Sequence, residues 1–481
     1  MVRGFYGEDI NMYKDDQIFQ VLLRYDFDLN RNEFDVPSYF KNHFDLYIND
    51  IECAAFGSNP FLGTDFCTQV LDSISLIKSI SNKIVEISGL YWDGKIKDAF
   101  ESAYTLFSSM KPYYLSRISC EEDGCFFRFR RGDLRIKPGD DRRKKKAEMF
   151  HIKDSKRNII GACRFNIPGF PCLYLTSGFE LGWFESGMLK QFSYCKMCIE
   201  ESGENALRLI DLSNRPVDLL SRIFSSILNA KDNQDKLQII HKYILNYIIT
   251  YPLAAACSLK VKDRGDKFVE EYVIPQMFMN WIRESSSYDG IRYKSSLNTT
   301  LVQEMGAVNI VLPVKKFRDD GLCENLTSKI TVSDIVYLDV NEDFKKYQQY
   351  LQDIADFKNE LWNKIIRGKY SCGYVHKIIE ICEGIIVTYN SIINGNQLND
   401  VVLHQINCLA DYVFTIHDNR ESLIRKSVEE IKQHNHNIDE KKLQGEISTD
   451  FDKFYTLVIN VIHKHAVFHL SHEDILNFEK I

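Results

Sequence analysis

The stretch Gly161-Ala-Cys-Arg-Phe-Asn-Ile-Pro-Gly-Phe-Pro-Cys-Leu-Tyr-Leu-Thr-Ser-Gly-Phe-Glu-Leu-Gly-Trp-Phe-Glu185 is the most informative in the chain. Glycine and proline punctuate a short apolar run, Cys172 to Thr176, whose length and flanks predict a strand. Alternation along that strand puts Tyr174 on the face opposite Leu173 and Leu175. The texture extends outward from Cys125 to about Pro313, with a second such run at Asn158 to Cys163 and helical stretches such as Val217 to Leu228. This middle region reads as α+β.

The flanks read differently. Between Phe66 and Leu90, Val70, Ile74, Ile77, Ile80, Ile84 and Ile87 recur at three and four, as an amphipathic helix requires. After about Val340, Tyr347, Leu351, Ile354, Phe357 and Leu361 share one helical face, and further helices are expected over Val375 to Ile393 and Val401 to Phe414. Of the ten prolines only Pro313 lies beyond Trp281, which suits long helices there. The polar run His434 to Thr449 reads as an exposed loop or charged helix. The expected division is a mainly helical region over 1–115, an α+β domain over 116–335 and a helical domain over 336–481.

A chain of 481 residues, 44% hydrophobic, can bury a sizeable core in two or three domains. A net charge of −7 argues against a protein built mainly for nucleic acid or anionic membranes. No apolar h-region follows Met1, and the most apolar stretch, Tyr243 to Leu259, is short for a bilayer span and interrupted by Asn246, Thr250 and Pro252. A cytoplasmic chain without a membrane segment is expected. Thirteen cysteines scattered from Cys53 to Cys408 predict reduced thiols rather than a disulfide framework.

Three blocks in a fixed order carry a resemblance. Phe127-Arg128-Phe-Arg130 opens the middle region, followed by Glu148-Met-Phe-His151 and the stretch quoted above. Glu271-Tyr-Val-Ile-Pro-Gln276, Trp281-Ile-Arg283 and Asp289-Gly-Ile-Arg-Tyr293-Lys-Ser295 close it. Together they resemble the RES domain of NAD⁺-consuming bacterial toxins over roughly 185 residues. The resemblance implies an ADP-ribosyltransferase-like core with a mixed, split sheet around an NAD⁺ cleft. It implies cleavage of the nicotinamide–ribose bond by hydrolysis or phosphorolysis, with NAD⁺ as substrate and no cofactor or metal. Transfer of ADP-ribose to a protein is the alternative activity, and a non-enzymatic scaffold with a degenerate core is the alternative function.

By the same resemblance Arg164, Tyr174, Glu185 and Ser295 fall on the family's catalytic positions. Arg128, Arg130 and Tyr293 join Arg164, Tyr174 and Ser295 as NAD⁺-binding candidates. Ser296 is the weaker serine, because Lys294 stands where a proline is common. The chemistry suits these residue types. A carboxylate stabilises the cation-like sugar of the transition state, and a guanidinium forks onto diphosphate oxygens. A toxin or phage-defence role would require a neutralising partner, or a flank that blocks the cleft; a homo-oligomer is left open.

Other motifs carry less. The run Arg128 to Lys146 holds ten basic residues against Asp133, Asp140 and Asp141, and reads as a solvated loop. Cys195-x-x-Cys198 has no second half for zinc, even with Cys120 and Cys125 nearby. His463-Lys-His465 and His404-x-x-x-Cys408 lack a third ligand at short range. There is no Gly-x-Ser-x-Gly elbow, no phosphate-binding Gly-x-x-x-x-Gly-Lys loop and no Gly-x-Gly-x-x-Gly turn. An Arg-x₄₋₆-His ribonuclease motif is absent as well.

Overall fold

The structure, a computed structural model, describes residues 16–26, 29–31, 34–118, 125–187, 189, 191–199, 206–216, 219, 234–263, 266–296, 307–339, 341–366, 373–393, 413, 416–417, 419–434, 439–464 and 479–480. The expected helix at Val217 to Leu228 lies outside them apart from Leu219, as does most of Val401 to Phe414. Cys120, His404, Cys408 and His465 lie outside them too.

Among the described residues four helices come first: α1 (Gln17–Arg24), α2 (Val36–Phe56), α3 (Gly63–Trp92) and α4 (Ile96–Ser109). Asp35 caps α2 by accepting from the Ser38 amide at 2.7 Å. The isoleucines spaced at three and four along α3 are all buried. The middle region follows with β1 (Ser116–Ile118), β2 (Cys125–Arg131), α5 (Arg142–Met149), β3 (Cys172–Thr176), α6 (Phe179–Glu185), β4 (Gln191–Ile199) and β5 (Arg208–Leu212). It continues with α7 (Gln234–Ser258), α8 (Val273–Glu284), β6 (Gly290–Tyr293), β7 (Asn309–Pro313), α9 (Glu324–Lys329), β8 (Ile330–Val332) and β9 (Val336–Asp339). Helices α10 (Asn341–Ile366), α11 (Gly373–Ile393), α12 (Arg420–His434) and α13 (Glu440–Lys464) complete it, with β10 (Glu479–Lys480). The fold is therefore α+β.

Ten strands among the described residues make one mixed sheet in the order β1-β5-β6-β7-β3-β2-β4-β8-β10, with β9 also against β4. Only β5 and β6 run parallel. The sheet is nearly cut in two at its middle. Strand β3 pairs with β7 along its length and β2 with β4 along its length, yet β2 and β3 meet at one pair, Phe127 opposite Thr176. Where the two halves part, a cleft opens.

Apolar cores lie on both sides of the sheet and reach into the flanks. One joins α1 to α4 with α7, α8 and the sheet residues Ile210, Ile291 and Val311. Pro252 sits inside α7 and cannot donate to Ile248, four residues earlier; Tyr47 of α2 donates to that freed carbonyl at 3.0 Å instead. The stretch Tyr243 to Leu259 is thus a buried core helix, and no helix among the described residues is long and apolar enough to cross a membrane. A second core joins Phe179, Leu181 and Trp183 of α6 to Phe127, Phe129, Phe192, Tyr194 and helices α10 to α13. A third lies under α5 and α9 and takes Leu173 and Leu175.

Helix α6 lies close against the sheet because residue 182 is glycine. A Cβ there would sit 2.3 Å from the Phe129 ring and 2.5 Å from Thr176 Cγ2. Trp183 anchors the same helix to the second core, 2% exposed, with its indole donating to Leu189 O at 2.9 Å. Trp183→Ala is expected to cost about 3–5 kcal/mol, read by urea denaturation of the full chain. A loss under about 1 kcal/mol would mean α6 is not held this way.

Three expectations change. Asn158 to Cys163 is not a strand: Asp154–Ile159 is a 3-10 segment leading into a turn. The basic run after Asp141 is a helix rather than a loop, capped by Asp141, and it buries Lys146 with its ammonium on Val332 O at 3.1 Å. Finally, Cys125 and Cys198 form a disulfide, where reduced thiols were expected. The antiparallel register of β2 and β4 sets the two cysteines opposite each other with Cα atoms 4.1 Å apart. Eight other described cysteines are free, and no cluster of metal-ligating side chains occurs among the described residues.

Candidate functional site

The cleft at the parting of β2 and β3 has a volume of about 540 Å³. It is lined by Arg128, Arg130, Arg131, Arg164, Tyr174, Glu185 and Tyr293 among others. Six of the seven sequence candidates therefore face one space. The seventh, Ser295, reaches it through a hydrogen bond to Glu185. All lining residues belong to the middle region, so among the described residues neither flank plugs the cleft.

Arg164 opens the Arg-Phe-Asn turn, which Cys163 and Asn166 close with reciprocal backbone bonds of 3.2 Å. Its guanidinium is more committed than the sequence suggested. One nitrogen donates to the carbonyls of Cys257 (3.0 Å) and Leu259 (2.9 Å) at the negative end of α7. Another donates to Ser296 Oγ at 2.9 Å, and the group lies 5.4 Å from the Tyr272 ring centroid. Arg164 holds the cleft wall together and is part of its lining.

Arg128 and Arg130 come from alternate positions of β2. Arg128 donates to Met149 O (3.3 Å) and to Tyr174 O (3.1 Å), filling the gap where the strands part. Arg130 donates to Phe150 O at 2.6 Å, and its buried Nε has no hydrogen-bond partner. The Glu148-to-His151 block thus supplies the carbonyls that hold the β2 arginines. Burial pushes both guanidinium groups below their ordinary pKa, and for Arg128 the neighbouring Arg130 adds to this. Carbonyls orient a cation without neutralising it. Four arginines line the cleft against one carboxylate, Glu185, an imbalance that a bound anion would relieve.

Glu185 ends α6. Its Oε1 accepts from Ser295 Oγ at 2.5 Å and Asn309 Nδ2 at 2.9 Å, which fixes the carboxylate and leaves Oε2 for a ligand. Tyr174 donates its hydroxyl to Asn166 Oδ1 at 2.7 Å, and burial raises both Tyr174 and Tyr293 well above the usual phenol value. Both remain neutral phenols that can stack or donate.

Sequence reasoning missed Asn309, Asn166 and Tyr272, and ranked the serines as alternatives where the structure uses both. Asn309 carried a signal: it is the one residue of the β7 run Asn309–Pro313 with a polar side chain, and it is buried. The late block is mainly structural. Glu271 accepts from buried Arg31 at 2.7 Å, Trp281 donates to Ser108 Oγ at 3.1 Å, and a Cβ on Gly290 would sit 2.4 Å from Val311 O.

His151 supports the site from behind. Its Nε2 accepts from the Cys323 amide at 2.8 Å, so Nδ1 carries the proton donated to Ile152 O. Burial lowers its pKa to about 4. The unfolded chain therefore binds a proton that the folded chain refuses between about pH 6.5 and about 4. Stability from this group is full above pH 6.5 and is lost as pH falls towards 4, by up to about 3 kcal/mol. His151→Gln should flatten that part of the stability–pH curve in urea titrations; an unchanged slope would contradict the assignment.

A stretch of 277 residues is 32% identical to a protein of Bacillus subtilis (strain 168) named "Putative toxin YopC". The match covers 55% of this chain and 59% of that protein. No protein-family profile matches the chain, and no solved structure matches it.

Proposed function

We propose that this chain is an NAD⁺-consuming enzyme with a RES-like, ADP-ribosyltransferase-like core, acting as a toxin or defence effector in the cytoplasm. The observation that carries the reading is the charge layout of the cleft: four arginines, none in an ion pair among the described residues, facing one carboxylate fixed by Ser295 and Asn309. A diphosphate flanked by a sugar that develops positive charge fits such a layout at both ends. The similarity to a protein named as a toxin supports the biological role.

In this reading Arg128, Arg130 and Arg131 take the diphosphate, with Arg164 beside them. Tyr174 and Tyr293 flank the nicotinamide end. The bond between the ribose C1 and the pyridinium nitrogen breaks, and its electron pair neutralises nicotinamide as it leaves. Glu185 stabilises the cation-like ribose and orients a ribose hydroxyl through Oε2. Water or inorganic phosphate adds to C1 and gives up a proton where water is the acceptor.

Induced expression in a bacterial host, with NAD(H) extracted and quantified against a Glu185→Gln control, tests the effector role. Falling NAD(H) and growth arrest in the wild type alone are expected. Growth arrest with NAD(H) unchanged would overturn the reading.

A further inference from the structure

Away from the cleft, two arginines bracket one aromatic ring. Phe170 stands at the turn before β3, with the guanidinium carbon of Arg283 4.4 Å and that of Arg157 5.1 Å from its ring centroid. Arg157 belongs to the exposed segment Asp154–Ile159 and donates its Nε–H to Gly169 O at 2.8 Å. Arg283 lies in the last turn of α8, and its buried Nε has no hydrogen-bond partner.

Neither arginine has a carboxylate partner among the described residues. The acids nearest in sequence are engaged elsewhere: Glu284 accepts from the Tyr104 hydroxyl at 3.0 Å, and Asp154 accepts from the Ser155 amide at 2.7 Å. Lys156 adds exposed positive charge. Phe170 is 37% and Ile159 64% exposed, so the cations border an apolar surface. Guanidinium groups laid against a ring have already lost much of their rotamer freedom, which lowers the cost of binding an anion.

We propose that the Arg157–Phe170–Arg283 face is the docking site of an acidic protein segment. Its carboxylates would pair with the two guanidinium groups, and an apolar side chain would cover the exposed Ile159. A protein fits better than nucleic acid because the guanidinium groups already occupy the ring on which a base would stack. The site also touches the cleft's framework. Gln276, two turns before Arg283 on α8, donates to the carbonyls of Cys163 (3.0 Å) and Asn166 (3.1 Å) in the turn that carries Arg164. An occupant would thus bear on the outside of the turn whose inside shapes the cleft. The proposal does not depend on what the cleft binds.

The test is fluorescence anisotropy of a labelled peptide of alternating Glu and Leu titrated with the full chain at low salt. Arg157 is exposed, so Arg157→Glu leaves the fold intact, which circular dichroism checks. It is expected to weaken binding by about tenfold or more. Arg131→Gln, in the cleft, is expected to change binding less than about twofold. Equal affinity in Arg157→Glu and wild type, a larger loss in Arg131→Gln, or binding of single-stranded RNA in place of the peptide would each overturn the proposal.

Discussion

Replacing Glu185 with Gln is expected to slow NAD⁺ consumption about 10²–10³-fold, equivalent to about 3–4 kcal/mol of transition-state stabilisation. The substitution is nearly isosteric. An amide oxygen still accepts from Ser295 Oγ and Asn309 Nδ2, so the end of α6 stays in place. Only the negative charge is lost, and the ground state needs it less than the cation-like transition state does. NAD⁺ affinity by calorimetry should therefore stay within about threefold of wild type while turnover falls. Equal losses in affinity and turnover would make Glu185 a binding residue, and no loss would remove it from the chemistry.

A fragment spanning 116–335 is expected not to fold. The sequence alone sets that segment apart as a domain of its own, but its surfaces are shared with the flanks. On one side Ile210, Ile291 and Val311 belong to the core built with α1 to α4, and Arg31 pairs with Glu271, which is 3% exposed. Tyr47 satisfies the carbonyl that Pro252 leaves open. On the other side Phe179, Leu181 and Trp183 are covered with the help of α10 to α13. Cutting at both ends exposes both faces and the helix that carries Glu185. The fragment should bind a hydrophobic dye and lack a cooperative thermal transition. A sharp transition near that of the full chain would show the flanks to be dispensable for folding. The flanks read here as buttresses, and any restraint on the cleft comes from outside the described residues or through the framework around Arg164.

Much of this arrangement was legible in the sequence where local pattern and residue type agree. The isoleucine spacing of α3 and the alternation around Tyr174 are one-dimensional signals, and the helix and strand follow them. Asn158 to Cys163 misled because its apolar residues have no neighbouring strand; the segment turns back instead, with Gly169 N bonded to Ile160 O at 3.0 Å. The Cys125–Cys198 bond was invisible because it depends on the register of two strands 73 residues apart. The same holds for the site. Arg128, Arg164 and Glu185 could be named from motifs, but Arg164's attachment to the end of α7, and Asn309's to Glu185, arise only when distant elements pack together.

The most direct test of the account is to incubate the purified full chain with NAD⁺, with and without inorganic phosphate, and identify the products by mass spectrometry. The account predicts free nicotinamide together with ADP-ribose, or with its 1″-phosphate when phosphate is the acceptor. NAD⁺ recovered intact under both conditions would contradict it.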